Sequence, residues 1–330
     1  MAKFTGRQQE VGVAREATRG TLVVPAFWIP KVSYNVEDKV QKAKFLGNYG
    51  VLAGGDAAPV TQQWAEGDLE LELTDKILGI LLYGLFGTLT TGSFNSVYKH
   101  TLTIQNSVQP TTLSLWMNDP INAAETPTKS LGYAMGMVNS FEMKVELGEL
   151  VKGTFGFVAK SHTDFTRQTP SYAAGNKFAH NHLSFKIAAN TASLDAASKI
   201  NLQSLQLKIE RAVIRENALG TVQPVDILAR QFKITGKIGL TYQDRTYRDY
   251  MLNGTTKAMR IALNNSSVTI GATTPQFQLD LPIVHFEAWE PKQDLDEVAM
   301  QELNFEALYD VSNGILVGAN TFVVNAQASY

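Results

Sequence analysis

A polar/apolar alternation with a period of two recurs along this chain and limits what it can become. Glu66-Gly67-Asp68-Leu69-Glu70-Leu71-Glu72-Leu73 places four carboxylates on one set of alternate positions and three leucines on the other. Ser140-Phe141-Glu142-Met143-Lys144-Val145-Glu146-Leu147 does the same. Successive side chains of a strand point to opposite faces, so each run predicts a half-buried strand with one wet side. Gly148-Glu149 supplies a turn, and Val151 to Phe157 runs back with apolar residues at odd positions, so 138–160 reads as a β-hairpin.

Helices are few. Thr74 is placed to cap one, Asp75 sits at its positive end, and Gly87 can close it. Between them, Ile77, Leu78, Leu81, Leu82 and Leu85 make a helix that is apolar nearly all round. Such a helix needs cover on both faces. A neighbouring subunit is the expected cover, and burial inside the same monomer is the alternative.

The second half repeats this order. Arg230 to Thr241 alternates as a strand, Asp244 to Leu252 reads as a short helix closed by Asn253-Gly254, and Leu281 to Glu290 with Ala299 to Tyr309 makes a second hairpin. Gly236 and Gly67 are 169 residues apart, as are Asp244 and Asp75. Upstream, Asn201 to Arg211 matches Pro30 to Phe45. The expected organisation is an N-terminal arm over 1–26, a first unit over 27–162, a linker and connecting strand over 163–199, a second unit over 200–310 and a C-terminal arm over 311–330. The glycine-rich stretch Asn48 to Pro59, with Gly50, Gly54 and Gly55, is long for a hairpin loop.

Composition removes several function classes. The 330 residues carry a net charge of −2, which offers no global basic field for nucleic acid. There is no cysteine, hence no disulfide framework, thiolate metal site or cysteine nucleophile, and this fits assembly in a reducing cytoplasm. The first residues are polar and do not read as a secretory signal. The apolar run Ile77 to Gly87 is too short for a membrane helix, which needs about 20 residues. His180-Asn181-His182 is the one metal-like pair, but no third ligand is placed with it, and a surface pair at a strand start is the expectation. His100 and His285 stand alone in strand contexts. No nucleophile elbow, phosphate loop or zinc-helix motif occurs. Asn253-Gly254-Thr255 fits a glycosylation pattern that has no meaning without a secretory route. Trp28 and Trp64 read as core or interface anchors. No catalytic residue, metal or cofactor is therefore expected.

In order along the chain, these features resemble the tail tube (major tail) proteins of long-tailed, non-contractile bacteriophages. The segment Gly12-Val13-Ala14-Arg15-Glu16-Ala17-Thr18-Arg19-Gly20-Thr21 is similar to that family's amino-terminal motif. Phe27-Trp28-Ile29-Pro30 follows as the family's strand start does. The Gly67 strand, Leu78 to Gly87, Tyr98 to Thr103 and Gly236 to Tyr242 continue the match.

The resemblance implies a mainly β fold: a duplicated β-sandwich or barrel with a flanking helix in each half, whose inner strands close a barrel shared between subunits. It implies a non-enzymatic virion protein that stacks as rings, with a trimeric pseudo-hexamer favoured by the duplication. The implied partners are further copies of itself, the tape measure, the tail terminator and the distal tail protein. DNA would transit without specific binding. On this reading the residues facing the lumen are Glu37, Glu66, Asp68, Glu70, Glu72, Glu142, Lys144, Glu146, Lys152, Lys208, Glu210, Lys233, Lys237, Glu302 and Glu306, with a solvated outer face as the alternative. Ten acids against five lysines would repel phosphates. The competing functions are another self-assembling tail part (a baseplate hub, a tail-completion protein or a contractile inner tube) and, from a different class, a β-sandwich carbohydrate-binding protein or hydrolase.

Overall fold

The computed structural model describes residues 3, 5–47, 49–52, 55–120, 129–292 and 295–330. Asn48 and Gly54 of the long glycine-rich loop thus lie outside the described residues. The protein is mainly β. In order, the elements are β1 (Glu10–Arg15), β2 (Phe27–Ile29), β3 (Lys31–Tyr34), β4 (Glu37–Lys42), β5 (Val60–Glu72), α1 (Asp75–Phe86), β6 (Gly87–Phe94), β7 (Val97–Ile104), β8 (Leu113–Asn118), β9 (Lys129–Glu146), β10 (Lys152–Ala159) and β11 (Thr163–Thr166). Then come β12 (Leu183–Ala188), β13 (Ser204–Glu216), β14 (Asp226–Thr241), α2 (Thr246–Leu252), β15 (Lys257–Asn264), β16 (Gln276–Lys292), β17 (Met300–Leu308) and β18 (Phe322–Asn325).

One antiparallel ladder crosses the whole chain in the order β4, β5, β10, β9, β13, β14, β17, β16, with β3 continuing β4 along the edge of β5. The long strand β9 serves two layers. Its second half lies in this ladder, and its first half pairs with β8 and β11, beyond which stand β1 and β2. In the same way β16 gives its first half to β15 and β18 and its second half to β17.

The same pairings therefore occur twice, and their irregularities coincide. In the first half a bulge leaves Asn139 unpaired, because Gly156 faces Ser140 while Phe157 faces Val138. In the second half Glu287 is left out between the pairs Asn304–Ala288 and Phe305–Phe286. Phe157 faces Gly67 and Phe305 faces Gly236. Both glycines are sterically required. A Cβ on Gly67 would stand 2.4 Å from the Asn35 carbonyl oxygen, and one on Gly236 would stand 2.6 Å from that of Gln206. The neighbouring strand presses its backbone into the same place in each half.

Where the sequence suggests two arms and a linker with one connecting strand, the chain folds into four short strands. Residues 10–15 form β1, which pairs with both β2 and β8. Residues 163–166 form β11 against β9, and 183–188 form β12 against β15. Residues 322–325 form β18, which bridges β16 and β7. These runs of four to six residues are too short for periodicity to distinguish from loop.

The expected cover for α1 needs correction. Ile77, Leu78, Leu81, Leu82 and Leu85 are all buried by the chain itself, none more than 3% exposed. The helix packs on β9, β18, β6, β7 and β1. Its glycines admit the close neighbours: a Cβ on Gly79 would collide with the Tyr330 ring, and one on Gly84 with Leu113 and Val138. The Tyr330 hydroxyl donates to the Lys76 carbonyl at 2.7 Å and accepts from Asn325 Nδ2 at 2.7 Å. The C-terminal segment is thus the second wall that sequence reasoning assigned to a neighbour. Each of these leucines contributes roughly 1.5–3 kcal/mol by burial.

The start of the helix also differs from expectation. Thr74 makes no side-chain cap bond, and Asp75 takes over, accepting from the N–H groups of Lys76 at 2.9 Å and Asn176 at 2.8 Å. At the other end Gly87 closes the helix in the left-handed conformation, φ +87°. The second helix is shorter than α1 and has no fully buried residue, with Tyr250 stacked on Phe286.

Candidate functional site

Among the described residues, the polar face of the long ladder is a surface built with consistent chemistry. Along β5 the leucines at 69, 71 and 73 are fully buried and the carboxylates between them point outward. In register beside them, Asp68 lies across from Gly156 and Ser140, Glu70 from Thr154 and Glu142, and Glu72 from Lys152 and Lys144. The face continues through the β9–β13 junction, where Glu142 pairs with Lys208, Lys144 with Gln206 and Glu146 with Ser204. It then passes to Lys233 and Lys237 on β14 and to Glu302 and Glu306 on β17. Glu37, facing Glu66, closes it at the β4 edge. All fifteen residues expected to line a lumen thus share one face of one continuous sheet.

Ion pairs tie this face together. Lys144 meets Glu146 at 2.7 Å, Lys152 meets Glu149 at 2.6 Å, Lys208 meets Glu210 at 2.7 Å, and Lys233 meets Glu306 at 3.2 Å. Lys237 and Lys292 both contact Glu302. Partial burial works against the Glu302 charge, but these two ammonium groups prevail and hold its carboxyl below the ordinary range. In return, hydrogen bonds to their carboxylates push the ammonium groups of Lys144, Lys208 and Lys237 up. Every one of the five expected lysines is thus neutralised in place. By contrast, Glu66 and Glu70 accept from neutral groups, Trp64 Nε1 at 3.0 Å and Ser33 Oγ at 3.2 Å. Glu37 and Glu72 are paired with Lys39 and Lys177, so the negative surplus lies along β5 at Glu66, Asp68 and Glu70. Exposed pairs of this kind contribute little to stability, about 0–1 kcal/mol each. Their effect is on the surface potential.

Sequence reasoning missed Glu287, Glu290 and Lys292 on the same face. The bulge at Glu287 resets the alternation of β16, so 281–290 has no clean period to read. Glu287 shares a hydrogen bond with Glu306, which raises its carboxyl above the ordinary range.

His100, His180 and His182 are accounted for by local structure. His180-Asn181-His182 is a 3-10 turn before β12 rather than a strand start, and His182 Nδ1 accepts from the Ala179 N–H at 3.1 Å. Among the described residues no cluster of three or more histidines and carboxylates is placed to hold a metal ion. His100 is buried between Thr91 Oγ1 at 2.9 Å and Asn325 Oδ1 at 3.1 Å, and burial pushes its imidazole down. Among the described residues no helix is long and apolar enough to cross a membrane.

Apolar side chains are exposed mainly at the two ends of the ladder. The β4–β5 and β13–β14 loops carry Phe45, Leu46, Leu52 and Leu219 at one end, and the β9–β10 and β16–β17 loops carry Leu147, Leu295 and Val298 at the other. Compared with known proteins, residues 6–307 match the family described as phage tail tube protein. No curated protein matches the chain.

Proposed function

This chain belongs to the phage tail tube protein family, a structural component of the virion tail, and from that premise we propose that it stacks as rings into a hollow conduit for genome delivery. The observation that carries this reading is the continuous eight-strand ladder with one charged face and, among the described residues, an unpaired edge at each end. Exposed edges invite pairing, and closure into a barrel removes them. A barrel of about eight strands is filled by its own side chains, so one chain closed on itself would leave no channel. Three chains give about 24 strands, and at about 4.8 Å per strand and about 40° of tilt the wall is roughly 48 Å across. The repeated pairings support two copies of one unit per chain, over 10–166 and 183–325, and hence a threefold ring with pseudo-sixfold symmetry. The charged face lines the lumen, and its surplus of carboxylates repels the phosphates that pass. The exposed apolar loops at the two ends of the ladder are the stacking contacts between rings. The protein performs no chemistry, is made in the host cytoplasm, and meets the tape measure, terminator and distal tail proteins through the lumen and the ring faces.

Negative-stain electron microscopy across a concentration series tests this directly. Hollow filaments of stacked rings are expected, with threefold symmetry in end-on averages. Monomers that remain single at every concentration, even with tail-tip proteins added as initiators, would refute the reading. A second expectation concerns the wall. Replacing Glu70, Glu72 and Glu142 together by lysine leaves tube assembly intact and slows DNA ejection in a salt-dependent way. Loss of assembly in that variant would place these side chains in a subunit interface.

A further inference from the structure

The chain contains a template for the contact between copies. Where its halves meet, β9 and β13 pair antiparallel, with Ser204 opposite Glu146, Leu207 opposite Met143 and Glu210 opposite Ser140. The matching bulges at Asn139 and Glu287 put β9 positions 140–144 in correspondence with β16 positions 288–292. The matching glycines put β13 positions 206–210 in correspondence with 35–39, because Gly236 pairs with Leu207 while Gly67 lies against Val36.

We propose that β16 of one copy pairs antiparallel with β3–β4 of the next in this inherited register, with Val36 opposite Pro291, Glu37 opposite Glu290, Asp38 opposite Trp289 and Lys39 opposite Ala288. This deepens the tube reading and rests on it.

Three observations carry the register. First, the backbone is correctly aimed. Asn35 donates its N–H to the Asp68 carbonyl at 3.0 Å, so the alternate residue Val36 turns its own N–H and C=O away from β5, toward the open edge. Second, the burial is incomplete where a partner is missing. Met143 and Phe141 are fully buried at the internal junction, whereas their counterparts Pro291 and Trp289 are exposed and half-exposed. Pro291 has no N–H, so this position makes one ladder hydrogen bond, from the Val36 N–H to the Pro291 carbonyl, and leaves the Val36 carbonyl to water. Third, the charges interleave. Glu37 and Glu290 face each other, which alone would repel, and the repulsion is offset by Lys39, already paired with Glu37, and by Lys292, already paired with Glu302, at the two diagonal positions about 7–8 Å away.

The absence of native cysteine makes the test clean. Directly opposed residues stand about 4.5–5.5 Å apart at Cα, inside the disulfide range of about 4.4–6.8 Å. A Glu37→Cys/Glu290→Cys double variant, assembled into filaments and mildly oxidised, is expected to run on a non-reducing gel as covalent dimers and trimers, with most of the monomer band lost. The slipped pair Glu37→Cys/Lys292→Cys is expected to stay monomeric. Filaments that cross-link only in the slipped pair, or in neither, overturn the register while leaving the tube reading standing. Failure of the cysteine-free protein to form filaments even with tail-tip initiators overturns both. If only the cysteine variants fail to assemble, a density map of the unmodified tube decides, because Glu37 either neighbours Glu290 of the next copy or it does not.

Discussion

Replacing Asp280 by alanine is expected to lower the stability of the protomer by about 3–5 kcal/mol, the cost of stranding one partner of a buried ion pair. Asp280 lies on β16 with no exposed surface, and Arg260 lies on the adjacent β15, largely buried. The guanidinium grips both carboxylate oxygens, Nε to Oδ1 and Nη2 to Oδ2, each at 2.7 Å. Its remaining contact, Asp195, is mostly solvent-exposed and cannot replace that bidentate hold. The Asp280 backbone is engaged too, accepting from Gly318 N–H at 2.8 Å and donating to Thr321 Oγ1 at 3.2 Å, so the pair also anchors the C-terminal segment that covers α1. An apparent melting temperature lower by roughly 5 °C is expected from an unfolding entropy that scales with chain length. The double replacement Arg260→Met/Asp280→Leu should recover most of the loss, since it removes the desolvation cost along with the attraction. If the double variant is as damaged as the sum of the two singles, packing rather than charge burial governs this site.

Much of the central ladder was legible from the residues. The Leu69, Leu71, Leu73 alternation and the Phe141, Met143, Val145 alternation each fix a buried and a wet face, and a period of two has one structural reading in runs this long. That is why the charged residues could be grouped on one face before any coordinates. The cover over α1 was not legible. It comes from Tyr330 and Asn325, about 250 residues away in sequence, as the Asn325 to Asp75 carbonyl bond shows, and no local pattern announces a contact at that separation. The bulge at Glu287 defeated periodicity for the opposite reason, since one extra residue inverts which positions face the core. The amino-terminal motif was visible as a resemblance, yet its physical reason appears only when β8 and β9 bring their donors to it.

That reason supplies the other large effect. Glu16 is 3% exposed, and its carboxylate is enclosed by donors from three parts of the chain. Oε1 accepts from the Met135 N–H at 2.7 Å and the Ser114 hydroxyl at 3.1 Å, and Oε2 accepts from the Gly20 N–H at 2.7 Å and the Thr112 hydroxyl. Met135 adopts a left-handed backbone, φ +57°, at this point. Three residues beyond Glu16, Arg19 donates to Asp226 Oδ1 at 2.6 Å and to the Pro110 carbonyl at 2.8 Å, tying the same segment to β14 in the second half. Glu16→Ala leaves two hydroxyls that can turn to other acceptors and two backbone N–H groups that cannot. Hydrogen bonds to a charged group are worth roughly 1.5–3 kcal/mol each, so the expected loss is about 4 kcal/mol. Glu16→Gln keeps one acceptor oxygen but turns an amide N–H₂ toward existing donors, and should lose about half as much. Hydrogen exchange locates the damage. The amide of Val23, which donates to Ser114 Oγ at 2.9 Å, should exchange faster in Glu16→Ala, while β15 keeps its protection. Uniform acceleration across both halves would mean that Glu16 supports the whole fold rather than the amino-terminal clamp. Unchanged exchange at Val23 would mean that β1 and Arg19 hold this segment without the buried carboxylate.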